Sequence, residues 1–394
     1  MKKLPSLFLL ACLVVCFATG SALAQDTPKP PNILVDGGTV QCPTATFKTI
    51  QAAVDAATAG DVIRVCAGTY PEQVVINKTL TLEADNGVIV IPHDVVANTA
   101  GSSGNPIGAI ILVQNAENVD LEGFIVDGSA NGLTGCGPFL IGILFQNASG
   151  TIEHNYVRRV RLGNSLPGCQ SGNAIDVESS GGGQSNVTIS GNSLNAYQKN
   201  GITANEAGTT VNVTENAVSG IGPTTGAAQN GIQIGFGAQG QVTNNSVADN
   251  VYSPCVSAAN CPSNAAGILI FQSNGVQVEG NTVGANQVGI FVAANNANVG
   301  GNTIFHSVAL DGIALLGDDN TVSSNNISSS DFAAVYIQGN NNTISSNEVT
   351  GAAFGIFKIS GSTGTIRPGN SFHATTVQVQ DPAATNSLTP SPSR

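Results

Sequence analysis

From Ile152 to Asn370 one phrase keeps returning: an Ile or Val, two residues, an Asn, one residue, then another apolar side chain. Its Asn copies are Asn155, Asn192, Asn216, Asn245, Asn281, Asn302, Asn325, Asn347 and Asn370, and the last five are spaced by 21, 23, 22 and 23 residues. A second phrase, Gly-Ile or a close variant, runs in step at Gly142, Ala174, Gly201, Gly231, Gly267, Gly289, Gly312, Ala334 and Gly355. Self-similarity at this period means a solenoid whose units cannot bury an apolar face alone and must stack.

After each Gly-Ile the side chains alternate, as in Gly267-Ile268-Leu269-Ile270-Phe271, so Ile268, Ile270, Ile290 and Val292 are expected to point inward from a strand. A second strand about a dozen residues later carries Val278, Val299, Val322 and Ile344 inward. Coils about 4.8 Å apart put each Asn over the next, where side-chain amides bond along the stack. A motif present in every coil is structural and does not mark one active site. The expected fold is all-β, a single-stranded right-handed parallel β-helix. Thr49 is read as the cap of a short helix with Ile50, Ala53, Val54 and Ala57 on one face, covering the open end of the stack.

Residues 1–24 have the layout of a secretory signal peptide: Lys2 and Lys3, an apolar run from Leu7 to Phe17, and Ala22-Leu23-Ala24. Lipidation at Cys12 is the lesser alternative, because Leu10 fits a lipoprotein signal poorly. Residues 25–44 read as a linker, 45–380 as the solenoid and 381–394, rich in Pro, Ser and Thr, as a disordered tail. No later stretch has the apolar length of a membrane span, and the mature protein is expected to be secreted or periplasmic. Six cysteines remain after the leader, suited to an oxidising compartment, and proximity suggests Cys42 with Cys66, Cys136 with Cys169 and Cys255 with Cys261. None of these cysteines has CxxC spacing, so no metal is assigned to them. With 10% charged residues and a net charge of −12, the surface argues against nucleic acid as a partner. A monomer is expected.

The stretch Phe47-Lys48-Thr49-Ile50-Gln51-Ala52-Ala53-Val54-Asp55, followed by Gly68-Thr69-Tyr70-Pro71-Glu72, resembles the opening of right-handed parallel β-helix proteins of the pectin lyase-like superfamily. The Gly-Ile and Asn-x-Val coils are similar to the carbohydrate-binding and sugar-hydrolase repeats of that group. The resemblance implies the fold and a polysaccharide partner. It leaves activity open, because the group holds lyases, hydrolases, esterases, epimerases and non-catalytic surface proteins. The paired Asp and Gly-His-Gly motifs of polygalacturonases and the later motifs of pectin methylesterases are missing. Pro92-His93-Asp94 lacks the leading Asp of the alginate epimerase motif, and His93 is read as a turn residue.

Insertion lengths point to one corner. From Gly-Ile to Asn the spacing is mostly 13 to 15 residues, but from Asn to the next Gly or Ala it runs from 8 to 22. The long cases are 158–172, 219–229 and 248–265, which would wall one face of the stack, the side that often binds in repeat proteins. Outward positions beside them are Asp176 and Glu178, Thr203 and Asn205, then Gln233, giving way to Leu269, Phe271, Phe291, Leu316 and Tyr336. This apolar part is expected to be covered by loop 248–265 or by the tail.

Arg158, Arg159, Arg161 and Lys199 form the basic cluster of this region, which suits a uronic-acid polymer. In β-elimination a Lys or Arg takes the proton beside a carboxylate whose charge is held by cations. Lys199 is the expected base, Tyr197 the proton donor, and Arg158 and Arg161 the carboxylate holders. Asn205, Asn230, Gln233 and Tyr252 complete the expected substrate contacts. The competing reading pairs these cations with Glu153, Asp176 or Glu178 as solvated loop charges, and structural pairs are the commoner case. A hydrolytic version uses Asp176 and Glu178, two residues apart and so roughly 6.5–7 Å between Cα atoms, near the separation in inverting glycosidases. No cofactor is expected; a Ca²⁺ site at Asp176 and Glu178 is the alternative, but with only Thr203 and Gln233 above them the oxygen donors are too few to support it. The rival to polysaccharide binding or cleavage is a non-catalytic cell-surface or envelope solenoid.

Overall fold

Each coil folds as three strands, where the repeat had suggested two. The computed structural model describes residues 32–38, 40–163, 166–255, 261 and 264–381, so the expected leader, the Cys12 alternative and all but the first residue of the expected tail lie outside the described residues. Strands from successive coils pair in parallel into sheets of 13, 12 and 13 strands, and the chain is a right-handed parallel β-helix. One coil shows the pattern: Ser185–Ser190 lies in the first sheet, Ser193–Asn195 in the second and Asn200–Asn205 in the third. The second strand has three residues and follows the ladder Asn at once, too short to show an alternation of its own.

The interior is built from vertical columns. In the first sheet Ile152, Ile189, Val213 and Val242 pair in register and continue through Val278, Val299, Val322 and Ile344. In the third, Ile268 stands on Ile290 and Ile270 on Val292, all buried as expected. The Gly of the Gly-Ile phrase answers a close approach: a Cβ on Gly201 would come within 2.4 Å of Val218 Cγ1 and 2.5 Å of the Gly231 carbonyl oxygen. One strand before the C-terminal end the column through Ile270 and Val292 changes character, because Ile337 is paired with Lys358, whose ammonium meets Asp381 at 2.8 Å beside the last strand, Val377–Gln380.

All nine repeat asparagines stand at the corner between the first and second sheets. Asn216 is typical: its Oδ1 accepts from the Asn192 backbone N–H and Nδ2, each at 3.0 Å, and its Nδ2 donates to Asn245 Oδ1 at 3.0 Å. Shorter ladders occupy the other corners, Asn250 on Asn286 and Asn320 on Asn342. Each has too few asparagines to register as a repeat.

At the N-terminal end the helix Ile50–Ala56 buries Ile50, Ala53 and Val54, and Thr49 caps it by accepting from the Ala52 N–H. Glu72 adds a cap that sequence reading missed, accepting from the N–H groups of Ile50 and Gln51 at 2.8 and 2.9 Å. Ile33–Val35, inside the expected linker, is the first strand of the first sheet and pairs with Asp61–Val65. Three residues are too few to reveal a strand by pattern. The three expected disulfides are present.

Candidate functional site

A groove of about 650 Å³ runs along the outer face of the third sheet and touches six consecutive strands, from Phe139 to Phe291. Five strand spacings make it roughly 24 Å long. One stretch of its lining is amide: Asn173, Asn200 and Asn230 pair in register, and Gln233 and Asn205 lie beside them. These amides are already joined, Asn230 Nδ2 donating to Asn200 Oδ1 at 3.2 Å and Gln233 Nε2 to Asn205 Oδ1 at 3.1 Å. Further along, Leu269, Phe271, Phe291 and Phe236 form an apolar wall, with Cys261 and Asn264 at the rim.

Phe236 was not anticipated. It is 51% exposed, its ring meets that of Phe271 edge-on at 5.3 Å, and its φ is 56°. The fold imposes that backbone, since Asn115, Asn147, Glu206 and Gln272 hold the same corner of other coils with φ between 50° and 80°. Four of these five corners carry polar side chains and one carries an aromatic ring beside the groove. Aligning the corner residues of successive coils is the signal that would have exposed it.

The groove is shifted along the stack from the expected site. Asp176 is 4% exposed and Glu178 is 9%, and neither lines it. The reason is the antiparallel pairing of Thr99–Ala100 with the start of strand Pro106–Gln114, which folds the 99–106 segment over this end of the face. Gln146 fastens that segment, accepting from Thr99 Oγ1 at 2.6 Å and donating to the Ala100 carbonyl at 2.9 Å and to Glu178 Oε1 at 2.6 Å. Ser102 donates to Glu206. Burial, then the charge of Glu178, pushes the Asp176 carboxyl well above the usual carboxylate range, and the 2.8 Å bond from Asn173 Nδ2 opposes this only in part. Asp176 Oδ1 and Asn173 Oδ1 are buried acceptors without a donor, consistent with a carboxyl that keeps its proton. Burial also raises Glu178, against the bond from Gln146.

Of the expected elimination machinery, Lys199 lines the groove, with its ammonium donating to the Ala228 carbonyl at 2.7 Å and its pKa pushed down by burial. Tyr197 points into the core; it is fully buried, donates to Asn250 Oδ1, and burial pushes its hydroxyl pKa far up. A ring that closes the interior has no route to a ligand, so the donor role falls. Arg158 and Arg159 are held by Asp127, a partner not foreseen, which is itself fully buried. Burial alone would raise Asp127, but the bonds from Arg159, Ser129 and Arg158 hold it below the usual range. Arg161 opens into separate hollows beside the second sheet, so Arg158 and Arg161 do not line the groove. Tyr252 is absent from the lining as well. It packs with Cys255 and Cys261 on Ala266 and Val288 and leaves Leu269, Phe271 and Phe291 lining the groove, while further on, among the described residues, Tyr336 is covered by Phe332 and Phe357.

Among the described residues the one group of three side chains close enough to share a metal is Cys42, Cys66 and Asp85, and its thiols are joined as a disulfide.

The chain is a right-handed parallel β-helix, as are proteins of known structure that it resembles. It is similar to a GH136 lacto-N-biosidase from Eubacterium ramulus (TM-score 0.63, 12% identity, 86% of this chain and 67% of that one) and to the surface adhesin PfbA of Streptococcus pneumoniae (0.55, 13%, 84% and 88%). A family 28 exopolygalacturonase of Yersinia enterocolitica also matches (0.52, 14%, 89% and 76%). At such identities the likeness speaks to the fold alone. In sequence, 98 residues are 36% identical to a cell surface glycoprotein of Methanothermus fervidus, covering 23% of this chain and 14% of that protein. The model of a family described as periplasmic copper-binding protein (NosD) matches residues 255–389, about a third of the chain. Copper does not fit that segment. Its thiols form the Cys255–Cys261 disulfide, it has no Met, and His306 and His373 lie on second-sheet strands three spacings apart, roughly 14 Å.

Proposed function

We propose that the groove of the third sheet binds a glycan chain and that the protein acts outside the cytoplasm as a polysaccharide-binding solenoid. The observation that carries this is the lining itself, amides for hydroxyl groups beside phenyl rings for the apolar face of a sugar, with Lys199 as the one ionisable side chain among the described lining residues. Sugar recognition needs both kinds of surface, and a mostly apolar cleft with a few converging polar groups is the usual form of a binding site. Three disulfides suit an oxidising compartment. Binding without cleavage is favoured because acid–base hydrolysis needs two carboxyl groups at the bond, and Asp176 and Glu178 lie under the 99–106 segment.

Retardation of the protein in gels containing galactan, xylan, polygalacturonate or alginate tests the reading. Phe236→Ala and Gln233→Ala should each weaken the retarding interaction about tenfold, the loss of roughly 1–1.5 kcal/mol expected for one ring or one hydrogen bond. Retardation by none of the polymers, or equal retardation of wild type and both variants, refutes it.

A second reading is favoured by the place of Lys199 in the groove and its lowered pKa: burial shifts this amine toward the neutral form in which it could serve as the base of β-elimination on a uronate. It would take the proton beside the carboxylate, and the glycosidic oxygen would leave as the double bond forms. Its weakness is the missing cation for that carboxylate, since Arg158 and Arg159 are committed to Asp127. Ultraviolet absorbance rising on polygalacturonate or alginate, and abolished by Lys199→Ala, would establish it; a flat trace leaves binding alone.

A further inference from the structure

We propose that a second hollow, on the second-sheet side of the 159–172 loop, is a binding site for an oxyanion carried on a glycan, a carboxylate or a sulfate, with Arg161 as its principal contact. The hollow is about 330 Å³, and Arg159 and Arg161 both line it, together with Ser129, Asn131 and Leu133. The side chain of Arg161 is exposed and makes no hydrogen bond or ion pair among the described residues. Its backbone, by contrast, is fixed: the Arg161 N–H donates to the Arg159 carbonyl at 2.8 Å, and the buried Asn131 donates from Nδ2 to the Arg161 carbonyl at 2.9 Å and to that of Gly128 at 2.7 Å. With its backbone already pinned, Arg161 has only side-chain rotamers to order on binding, and its planar fork suits two oxygens of one anion.

The charges facing the hollow favour an anion. Of the two cations that line it, Arg159 shares the buried Asp127 with Arg158, and Asp94 lies against Gly132 at the rim, so this neighbourhood of three arginines and two carboxylates keeps one positive charge in excess. That excess stands on a chain with 25 acidic and 13 basic residues, where long-range attraction for anions is weak and a site must be local. The site is independent of the groove: the loop turns Arg161 to this hollow and Gln170 to the other.

Calorimetric titration of the full chain with sodium sulfate, sodium galacturonate and galactose, at constant ionic strength in chloride, tests the proposal. At least one of the two oxyanions should bind with one-to-one stoichiometry, and which one does tells a tetrahedral from a planar anion. Arg161→Ala should lower that affinity at least tenfold and Arg161→Lys should fall between, keeping charge without the fork. Phe236→Ala, which weakens the groove, should leave the oxyanion titration where it was. Binding of neither anion, equal affinity in wild type and Arg161→Ala, or an Arg161→Ala loss as large for galactose as for galacturonate overturns the proposal without touching the groove.

Discussion

Replacing Asn216 by Ala tests what the ladder contributes. The Asn216 side chain makes five hydrogen bonds, two accepted at Oδ1 from Asn192 and three donated from Nδ2, to the carbonyls of Ile189 and Thr214 and to Asn245 Oδ1. Some partners have alternatives. Asn192 Nδ2 still donates to the Ile152 and Ser190 carbonyls, and Asn245 Oδ1 still accepts from the Asn216 backbone. What is left without a partner in the interior is the Asn192 backbone N–H, while the Ile189 carbonyl, on a paired strand, gives up only its second bond. At about 1–3 kcal/mol for a buried group left unsatisfied and about 1 for the second bond, the cost should be about 3 kcal/mol. Asn370 makes the same contacts to Asn347 but is only half-buried, so water replaces what Ala removes and the cost should stay near 1 kcal/mol. Urea unfolding followed by circular dichroism gives the totals. Because a solenoid opens locally, amide hydrogen exchange over 185–219 should also show lost protection at Asn192. Equal costs at the two positions, or a protected Asn192 amide in Asn216→Ala, would refute the account.

Asp176→Asn should stabilise the protein at pH 7 and do nothing below about pH 4. A carboxyl whose folded pKa is raised carries no penalty while both states hold the proton, and a growing one as pH climbs from the unfolded to the folded value. Melting temperatures of wild type and variant across pH 3–8 check this; a constant difference contradicts it. Removing the Cys136–Cys169 link by paired serine substitution should cost about 3.5 kcal/mol and Cys255–Cys261 about 2, because they join residues 33 and 6 apart, and denaturation midpoints give the order.

How much of this was legible depends on whether the determinant repeats. The columns under Val278 and Ile268 and the nine-rung ladder recur at a nearly fixed period, so sequence shows them plainly. Asn205 and Gln233 were placed on the binding face because outward positions follow from inward ones, and Lys199 through the basic cluster; these three and Asn230 line the groove. What failed lies outside the period. The 99–106 segment covers Asp176 and Glu178 through contacts such as Ser102 with Glu206, which are 104 residues apart and occur once. Tyr197 follows a strand end where one residue of phase decides between core and surface, and Arg158 found a partner one coil back, in Asp127.

Lys358 has a bearing on how the molecule behaves in company. A β-helix exposes a ready template at its last rung, and stacked edges are how such folds run on into fibres. Here the last rung is Val377–Gln380, and one of the two inward columns of its sheet ends in Lys358 bound to Asp381 while the other ends in Val379. An incoming coil would meet a charged pair where the register calls for a hydrocarbon side chain, so growth is discouraged there by that mismatch, as it is at the opposite pole by a helix.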